Sequence, residues 1–185
     1  TILAPEMVKG VQAQGVAANV KHFAANNQES FRVGIDEIIT KRALYELYLP
    51  AFKACVEAGA ATVMSAYNRI NGVPCTENHW LLTNLLRDTW GFDGVVVSDW
   101  GAVKNLDLAV AAGNDIAMPG PMDGSALREA LENGTLSEEQ LDSAVDHVLA
   151  FMVRCQNNMV KKATSVLCDS DKVAYQAALE GIVLL

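Results

Sequence analysis

Trp90-Gly91-Phe92-Asp93-Gly94-Val95-Val96-Val97-Ser98-Asp99-Trp100-Gly101-Ala102 is the stretch on which the reading of the fold turns. Three consecutive valines suit a strand covered on both faces, as in a parallel sheet with helices above and below it. The apolar run stops at Ser98, so a strand over residues 94–98 delivers a carboxylate, Asp99, and an indole, Trp100, to its C-terminal end. In barrels and open parallel sheets that end is where sites are built.

The same arrangement repeats on both sides. Residues 16–23 and 61–65 read as strands upstream, and residues 115–118 as a fourth strand downstream. Their ends carry Lys21-His22-Phe23 followed by Asn26-Asn27-Gln28-Glu29, then Ser65-Ala66-Tyr67-Asn68-Arg69, then Met118-Pro119-Gly120. Amphipathic helices lie between them. Thr40 is a cap for a helix to residue 58, with Leu44, Leu47, Tyr48, Ala51, Phe52 and Cys55 at helical spacing and Gly59 as its stop. Pro50 inside that stretch should kink it or remove a hydrogen bond. Further helices are expected over 79–90, 102–112 and 125–133, each followed by a glycine. Ser137 and Gln140 form a capping box for a helix to about residue 154, with Leu141, Val145, Val148, Leu149 and Met152 as its buried stripe. Residues 156–170 read as polar and irregular, and a last helix over 171–179 leads into Gly181-Ile182-Val183-Leu184-Leu185, which reads like a strand cut short. The alternation is the βαβα pattern of an α/β protein. A closed eightfold barrel takes about 250 residues, so four βα units fit either half a barrel or a small open sheet.

Composition narrows the function. A formal charge of −8 over 185 residues argues against a nucleic-acid partner, because phosphate neutralisation needs clustered Lys and Arg. No apolar run reaches the roughly 20 residues that span a bilayer, so no membrane partner is expected. No signal peptide is visible, the chain begins at Thr1, and both ends read as cut points, which leaves the compartment unassigned. Cys55, Cys75, Cys155 and Cys168 fit no zinc or CxxC spacing and read as unpaired, non-catalytic thiols. No metal and no cofactor is expected.

The strand ends hold the candidate chemistry. Asp99 is placed to act as a nucleophile or base, or to cap the helix expected after it. Trp100 offers a flat apolar surface for a sugar ring, or fills the core. Lys21 and His22 are adjacent and in a regular strand would point to opposite faces, so the backbone must distort for both to reach one ligand. Lys21 alone would suit a Schiff-base enzyme, and His22 alone a structural hydrogen bond. Arg32 would clamp a ligand or pair with Glu29, and Tyr67 would donate to a ligand or to a strand carbonyl. His79 and His147 read as surface or interface residues. A metal site from His22, Glu29 and Asp99 has no ligand-spacing signature.

These segments resemble glycoside hydrolase family 3 in order and spacing. Lys21-His22-Phe23-Ala24-Ala25-Asn26-Asn27-Gln28-Glu29 with Arg32, Tyr45-Glu46-Leu47-Tyr48-Leu49-Pro50-Ala51-Phe52, Met64-Ser65-Ala66-Tyr67-Asn68-Arg69-Ile70-Asn71-Gly72, the 90–102 stretch, Met118-Pro119-Gly120 and Glu180-Gly181-Ile182-Val183-Leu184-Leu185 all look like that family's motifs. The resemblance implies the C-terminal half of a TIM-type (β/α)8 barrel, strands five to eight plus C-terminal helices. Residues 1–155 would be barrel, and 156–185 would be a linker and helix leading to a second domain absent from this chain.

It implies Asp99 as the nucleophile of a retaining hydrolase acting on terminal β-D-glucosyl or related β-glycosyl residues. Lys21, His22, Arg32 and Tyr67 would hold the sugar hydroxyls and Trp100 would pack against the ring. The substrate would be a β-linked oligosaccharide or an aryl or alkyl β-glycoside. The family's N-acetylhexosaminidase branch reads KHFPGHGD-like, and its loop histidine is absent here, so the β-glucosidase/β-xylosidase branch is the better match. Asn114-Asp115-Ile116-Ala117 is a smaller departure, where members more often read Leu-Asp-Leu-Glu. The general-acid Glu and a further sugar-binding Asp and Arg would lie outside these residues. Three alternatives remain open: a catalytically inactive half barrel that binds or assembles, self-association through exposed half-barrel edges, and a lyase using Lys21.

Overall fold

The valine run becomes β6 (Val95–Ser98), in which Val95 and Val96 are fully buried. The computed structural model describes residues 1–120, 123–159 and 170–183, and nothing is described of the side chains of residues 158 and 159. β6 is one of three parallel strands, in the order β1 (Asn19–Phe23), β3 (Thr62–Ser65), β6. The β3–β6 register is regular from Thr62 opposite Val95 to Ser65 opposite Ser98. The β1–β3 register shifts between Val20 and Phe23, so the expected distortion falls on Lys21 and His22. The Lys21–His22, Phe23–Ala24 and Met118–Pro119 peptide bonds are cis. Gly94 is required before β6, because a Cβ there would lie 2.2 Å from the Ala61 carbonyl oxygen.

The expected fourth strand is reduced to a single parallel bridge between Val97 and Ile116. The cause is local. The Asp115 carboxylate accepts the Val96 N–H at 2.6 Å, so a side chain takes a bond that a regular ladder would give to the main chain. Ser98 N still donates to Ile116 O, and Gly101 N to Met118 O, which keeps this segment alongside β6.

The helices follow the sequence with instructive differences. α1 (Leu3–Ala13) is tied to the sheet by Gln12, whose Oε1 accepts from Ala18 N and Ala61 N and whose Nε2 donates to Gly59 O. Thr40 caps α2 (Lys41–Ala43) as expected. The helix then widens into a π-helical turn, Leu44–Tyr48, and resumes as α3 (Pro50–Glu57). Pro50 therefore falls at the first position of α3, where its missing N–H costs nothing. A second π-wound segment, Trp80–Thr89, buries Leu81, Leu82, Leu85 and Leu86 against Phe23, Val63 and Val96 in the main core.

The helix expected over 102–112 is shorter: α4 (Leu106–Ala112) starts after Asn105. α5 (Ser125–Asn133) ends at Gly134 as read. α6 (Glu138–Met159) starts from the Ser137/Gln140 capping box, with Ser137 N donating to Gln140 Oε1 and Gln140 N to Ser137 Oγ. Its expected stripe holds only at Leu141 and Val148, which are half-buried. Ala144 is buried with Leu141 beside it, while Val145, Leu149 and Met152 are about half exposed. The helix turns its small Ala144 face and His147 inward, which lets it approach α4 and Asp115 closely. α7 (Ser170–Gly181) has no buried residue. Most of the irregular segment, with Cys168, and the end of the apolar run at Leu184-Leu185 lie outside the described residues. Cys55, Cys75 and Cys155 are free thiols.

A second small sheet grows from the loop after β3. β2 (Asp36–Glu37) pairs with β4 (Arg69–Ile70), which pairs with β5 (Val73–Pro74). Asn71 and Gly72 both have positive φ, 50° and 90°, which suits the tight two-residue turn of a right-twisted hairpin. Asn71 is further fixed by both hydrogen bonds of its amide to Ile39, so the loop after β1 is pinned to the loop after β3.

Candidate active site

Asp99 stands one residue beyond the end of β6. Its main chain is held on both sides: its N–H donates to Ser65 O of β3, and its carbonyl accepts from Ala102 N. The Ser98 hydroxyl, fully buried, donates to the same carbonyl and accepts from Met118 N. Because α4 starts only at Leu106, Asp99 is not the helix cap that was the alternative reading. Its Oδ1 instead accepts the Trp100 N–H at 2.7 Å. Its Oδ2 is shielded from solvent and has no hydrogen-bond partner. It lies 3.3 Å from His22 Nε2, in a side chain that is only 13% exposed.

His22 reaches Asp99 across β3. Burial lowers its basicity, and the Lys21 charge lowers it further, against an opposing pull from Asp99. The ring is therefore biased toward its neutral form beside the carboxylate. Tyr67 donates its phenol to the Trp100 carbonyl. Burial, then the Asp99 charge beside it, push that phenol above its ordinary range, so it stays a donor. Arg32 stacks its guanidinium 4.7 Å from the Tyr67 ring centre and also pairs with Glu29, so the ligand-clamp and ion-pair readings meet in one geometry. Trp100 is 62% exposed and so is no core residue. Lys21, in β1, is exposed and lacks the desolvation that activates a Schiff-base lysine.

His22, Arg32, Tyr67, Asp99 and Trp100 thus come together, with Lys21 at the margin. Ser98 and Asn68 were not singled out from the sequence. Asn68, fully buried, donates to the Ala24 carbonyl and so holds the start of the loop that follows β1 and His22. A polar residue inside an apolar strand end is the only sequence signal for either. His79 is exposed, while His147, read as a surface or interface residue, is half-buried against Asp115. Its Nδ1 lies 2.9 Å from Asp115 Oδ1, and Asp115 is 1% exposed and also bound to Arg87 Nη2 at 2.7 Å. This network lies beneath β6, away from Asp99. Among the described residues no cluster of His, Cys, Asp and Glu is arranged to hold a metal ion, and no helix is long and apolar enough to cross a membrane.

The family described as "Glycosyl hydrolase family 3 N terminal domain" matches residues 1–151. The exo-alpha-(1->6)-L-arabinopyranosidase of Bifidobacterium longum is 43% identical over 181 residues, covering 97% of this chain and 24% of that protein. The thermostable beta-glucosidase B of Acetivibrio thermocellus is 42% identical, covering 99% of this chain and 25% of that protein. This chain therefore spans about a quarter of the length of these curated relatives. Among solved structures, a beta-glucosidase of Bifidobacterium adolescentis superposes with TM-score 0.88 at 40% identity, covering 98% of this chain and 27% of that one. Beta-glucosidase 3B of Thermotoga neapolitana, in complex with glucose, superposes with TM-score 0.85 at 43% identity, with the same coverage.

Proposed function

The chain belongs to glycosyl hydrolase family 3, and from that premise we propose that it is the nucleophile-bearing half of the catalytic barrel of a retaining, exo-acting β-glycosidase. In this reading β1, β3, β6 and the Ile116 bridge are strands five to eight of a TIM-type barrel. Residues 1–155 belong to that barrel and 156–185 lead toward a second domain. The substrate is a terminal non-reducing β-D-glucosyl or related β-glycosyl unit, carried on an oligosaccharide or on an aryl or alkyl group.

The observation that carries the proposal is the state of Asp99. One carboxylate oxygen is fixed by a main-chain N–H. The other is free of hydrogen bonds and faces His22. In the proposed step Oδ2 attacks the anomeric carbon as the glycosidic bond breaks, forming a glycosyl ester on Asp99. Water then hydrolyses that ester with overall retention of configuration. A carboxylic acid from outside these residues protonates the departing oxygen and later activates the water. Neutral His22, Lys21, Arg32 and Tyr67 are the donors assigned to the sugar hydroxyls. Donors help the rate to the extent that their bonds tighten as the oxocarbenium-like transition state forms. Trp100 is the surface on which the ring packs.

A substrate whose leaving group needs no proton tests Asp99 without its acid partner. Incubation with 2,4-dinitrophenyl 2-deoxy-2-fluoro-β-D-glucopyranoside should add one fluoroglucosyl group, found by mass spectrometry on Asp99 and absent from Asp99→Asn. Label on another residue, or none on the folded chain, would sink the assignment.

The second reading is an assembly module without turnover. β1 is the outer strand of the described sheet, and Met7, which lines a groove with Asn19 and Val20 of β1, is exposed. An unpaired strand edge with apolar neighbours invites pairing. Sedimentation of the chain separates the readings: a defined oligomer that resists labelling favours the second.

A further inference from the structure

The segment that departs from the family pattern, Asn114-Asp115-Ile116-Ala117, opens on a residue that none of the assigned roles uses. Asn114 is fully buried. A side-chain amide is costly in an interior unless its hydrogen bonds are met there. Both ends of this one are met by protein groups. Its Oδ1 accepts the Ser65 hydroxyl at 2.7 Å, and its Nδ2 donates to the Ile116 carbonyl at 3.0 Å. Chemistry fixes which way round the amide sits, because the Ile116 carbonyl can only accept and so must face the nitrogen. The residue's own N–H donates to Ala109 O, which anchors the amide from the end of α4.

The two residues gripped by this amide are the two that hold the main chain of the candidate nucleophile. The Ser65 carbonyl accepts the Asp99 N–H at 3.0 Å, and the Ile116 carbonyl accepts the Ser98 N–H at 2.8 Å. Ser65 and Ser98 also stand opposite each other at the last step of the β3–β6 register. The bonds therefore close a circuit that runs from Asn114 to Ser65, to Asp99, along the chain to Ser98, to Ile116 and back to Asn114. Beyond Ser98 the strand has ended, so the direction of the Asp99 side chain depends on how these last two N–H groups are held. Misplacing a reacting group by about 1 Å can cost about a hundredfold in rate.

We infer that Asn114 is a positioning residue for Asp99. By tying the Ser65 side chain to the Ile116 carbonyl it braces the two acceptors that fix the Ser98 and Asp99 N–H groups, and so sets the aim of the Asp99 carboxylate. Asn114 acts only through these residues, on the side of the strand tips away from solvent. The inference rests on the glycosidase reading above.

The test is the kinetics of fluoroglucosyl labelling of Asp99, followed by mass spectrometry at a temperature where circular dichroism shows each variant folded. Asn114→Leu keeps the branching of the side chain and removes both hydrogen bonds. Ser65→Ala removes only the hydroxyl and leaves the carbonyl that holds Asp99. In Asn114→Leu the rate constant at saturating reagent should fall by at least about tenfold. The half-saturating concentration should stay within about twofold, because the donors assigned to the sugar lie on other segments. Ser65→Ala should lower the same rate constant by less, and the double variant should be no slower than Asn114→Leu alone, since both act through one circuit. A residue that only stabilises the fold would lower the unfolding temperature and leave both constants of the folded chain unchanged. Unchanged rate constants, a loss confined to the half-saturating concentration, or losses that multiply in the double variant overturn the inference and leave the glycosidase reading intact. If Asn114→Leu does not fold, Ser65→Ala decides, and an unchanged rate constant there overturns the inference. If the unmodified chain takes no label, the reading itself fails and the inference falls with it.

Discussion

Replacing Asp115 by asparagine should destabilise the chain far more than its distance from Asp99 suggests. The carboxylate is 1% exposed and takes three donors: Arg87 Nη2 at 2.7 Å, His147 Nδ1 at 2.9 Å and Val96 N at 2.6 Å. Arg87 is itself 11% exposed and lies over the Phe92 ring, so it has little water to fall back on. An asparagine keeps the shape but offers one acceptor where two charged oxygens stood, and its amide N–H₂ must face another donor. Breaking a buried pair by removing one partner costs about 3–5 kcal/mol. A cavity of about 290 Å³ lined by Arg87, Asp115 and His147 gives water some access, which favours the lower end.

About 3 kcal/mol corresponds to a drop in Tm of roughly 6–12 °C for a chain of this size. Urea unfolding followed by circular dichroism measures it, and the double variant Arg87→Met/Asp115→Asn should lose less than Asp115→Asn alone, because no charge is stranded and the amide oxygen still accepts from Val96 N. A loss below about 1 kcal/mol in the single variant, or a larger loss in the double, would refute the view that this network pins the 115–118 segment to β6.

Other expectations follow from the same geometry. Gly94→Ala drives a methyl into the Ala61 carbonyl at 2.2 Å, so the β3–β6 pairing must shift; unfolding should show a loss of at least about 1–3 kcal/mol. Ser98→Ala strands the Met118 N–H beneath the site, at a cost of about 1–3 kcal/mol, and should slow fluoroglucosyl labelling of Asp99. The Cys75 thiol is fully buried and its pKa is pushed up to about 12 by desolvation, so iodoacetamide at pH 8 should label Cys155 and spare Cys75 in peptide mass spectra. His22 should titrate below the ordinary 6.5, and lower still in Asp99→Asn, because burial lowers it and Asp99 opposes that. Between its depressed midpoint and 6.5 the unfolded chain holds a proton that the folded chain lacks, so this group's contribution to stability falls as pH drops through that window. Ring-proton NMR shifts report both midpoints.

The strands and most helices were legible because their signals are local. The valine run and the glycine stops at 91, 113 and 134 need only neighbouring residues to act. What was not legible depended on partners far along the chain. The stripe on α6 was read from its own periodicity, but the buried face was decided by Ala144 meeting Val110, Ala130 and Leu136 and by His147 meeting Asp115. The fourth strand was read from apolar residues, yet one carboxylate replaced a ladder bond. The small sheet from β2, β4 and β5 was missed, although Asn71-Gly72 is a hairpin signal. Among the candidate site residues, Lys21, His22, Arg32, Tyr67, Asp99 and Trp100 are visible as polar or aromatic groups at or after strand ends. Ser98 and Asn68, which fix the main chain beneath them, were not, because a buried hydroxyl or amide looks the same in sequence whatever it bonds.

The two aspartates that follow apolar runs look alike in sequence and are held differently in the structure. Asp115 has both oxygens bonded, and its three donors are protein groups. Such a carboxylate holds a fold together, with three of its roughly four lone-pair sites taken by protein donors. Asp99 has one oxygen anchored by its neighbour's N–H and one without a hydrogen bond, shielded from solvent. The His22 ring, 3.3 Å from that oxygen, and the Tyr67 phenol beside Asp99 are the polar groups that face it. An anchored oxygen sets direction and an unsatisfied one retains reactivity, which is the division a nucleophile requires. The argument is checked by the contrast between the two substitutions. Asp99→Asn should leave unfolding nearly unchanged while abolishing fluoroglucosyl labelling, and Asp115→Asn, assayed well below its lowered Tm, should keep the labelling. If Asp99→Asn destabilises as much as Asp115→Asn, then Asp99 is also a structural carboxylate, and the claim built on its free oxygen is lost.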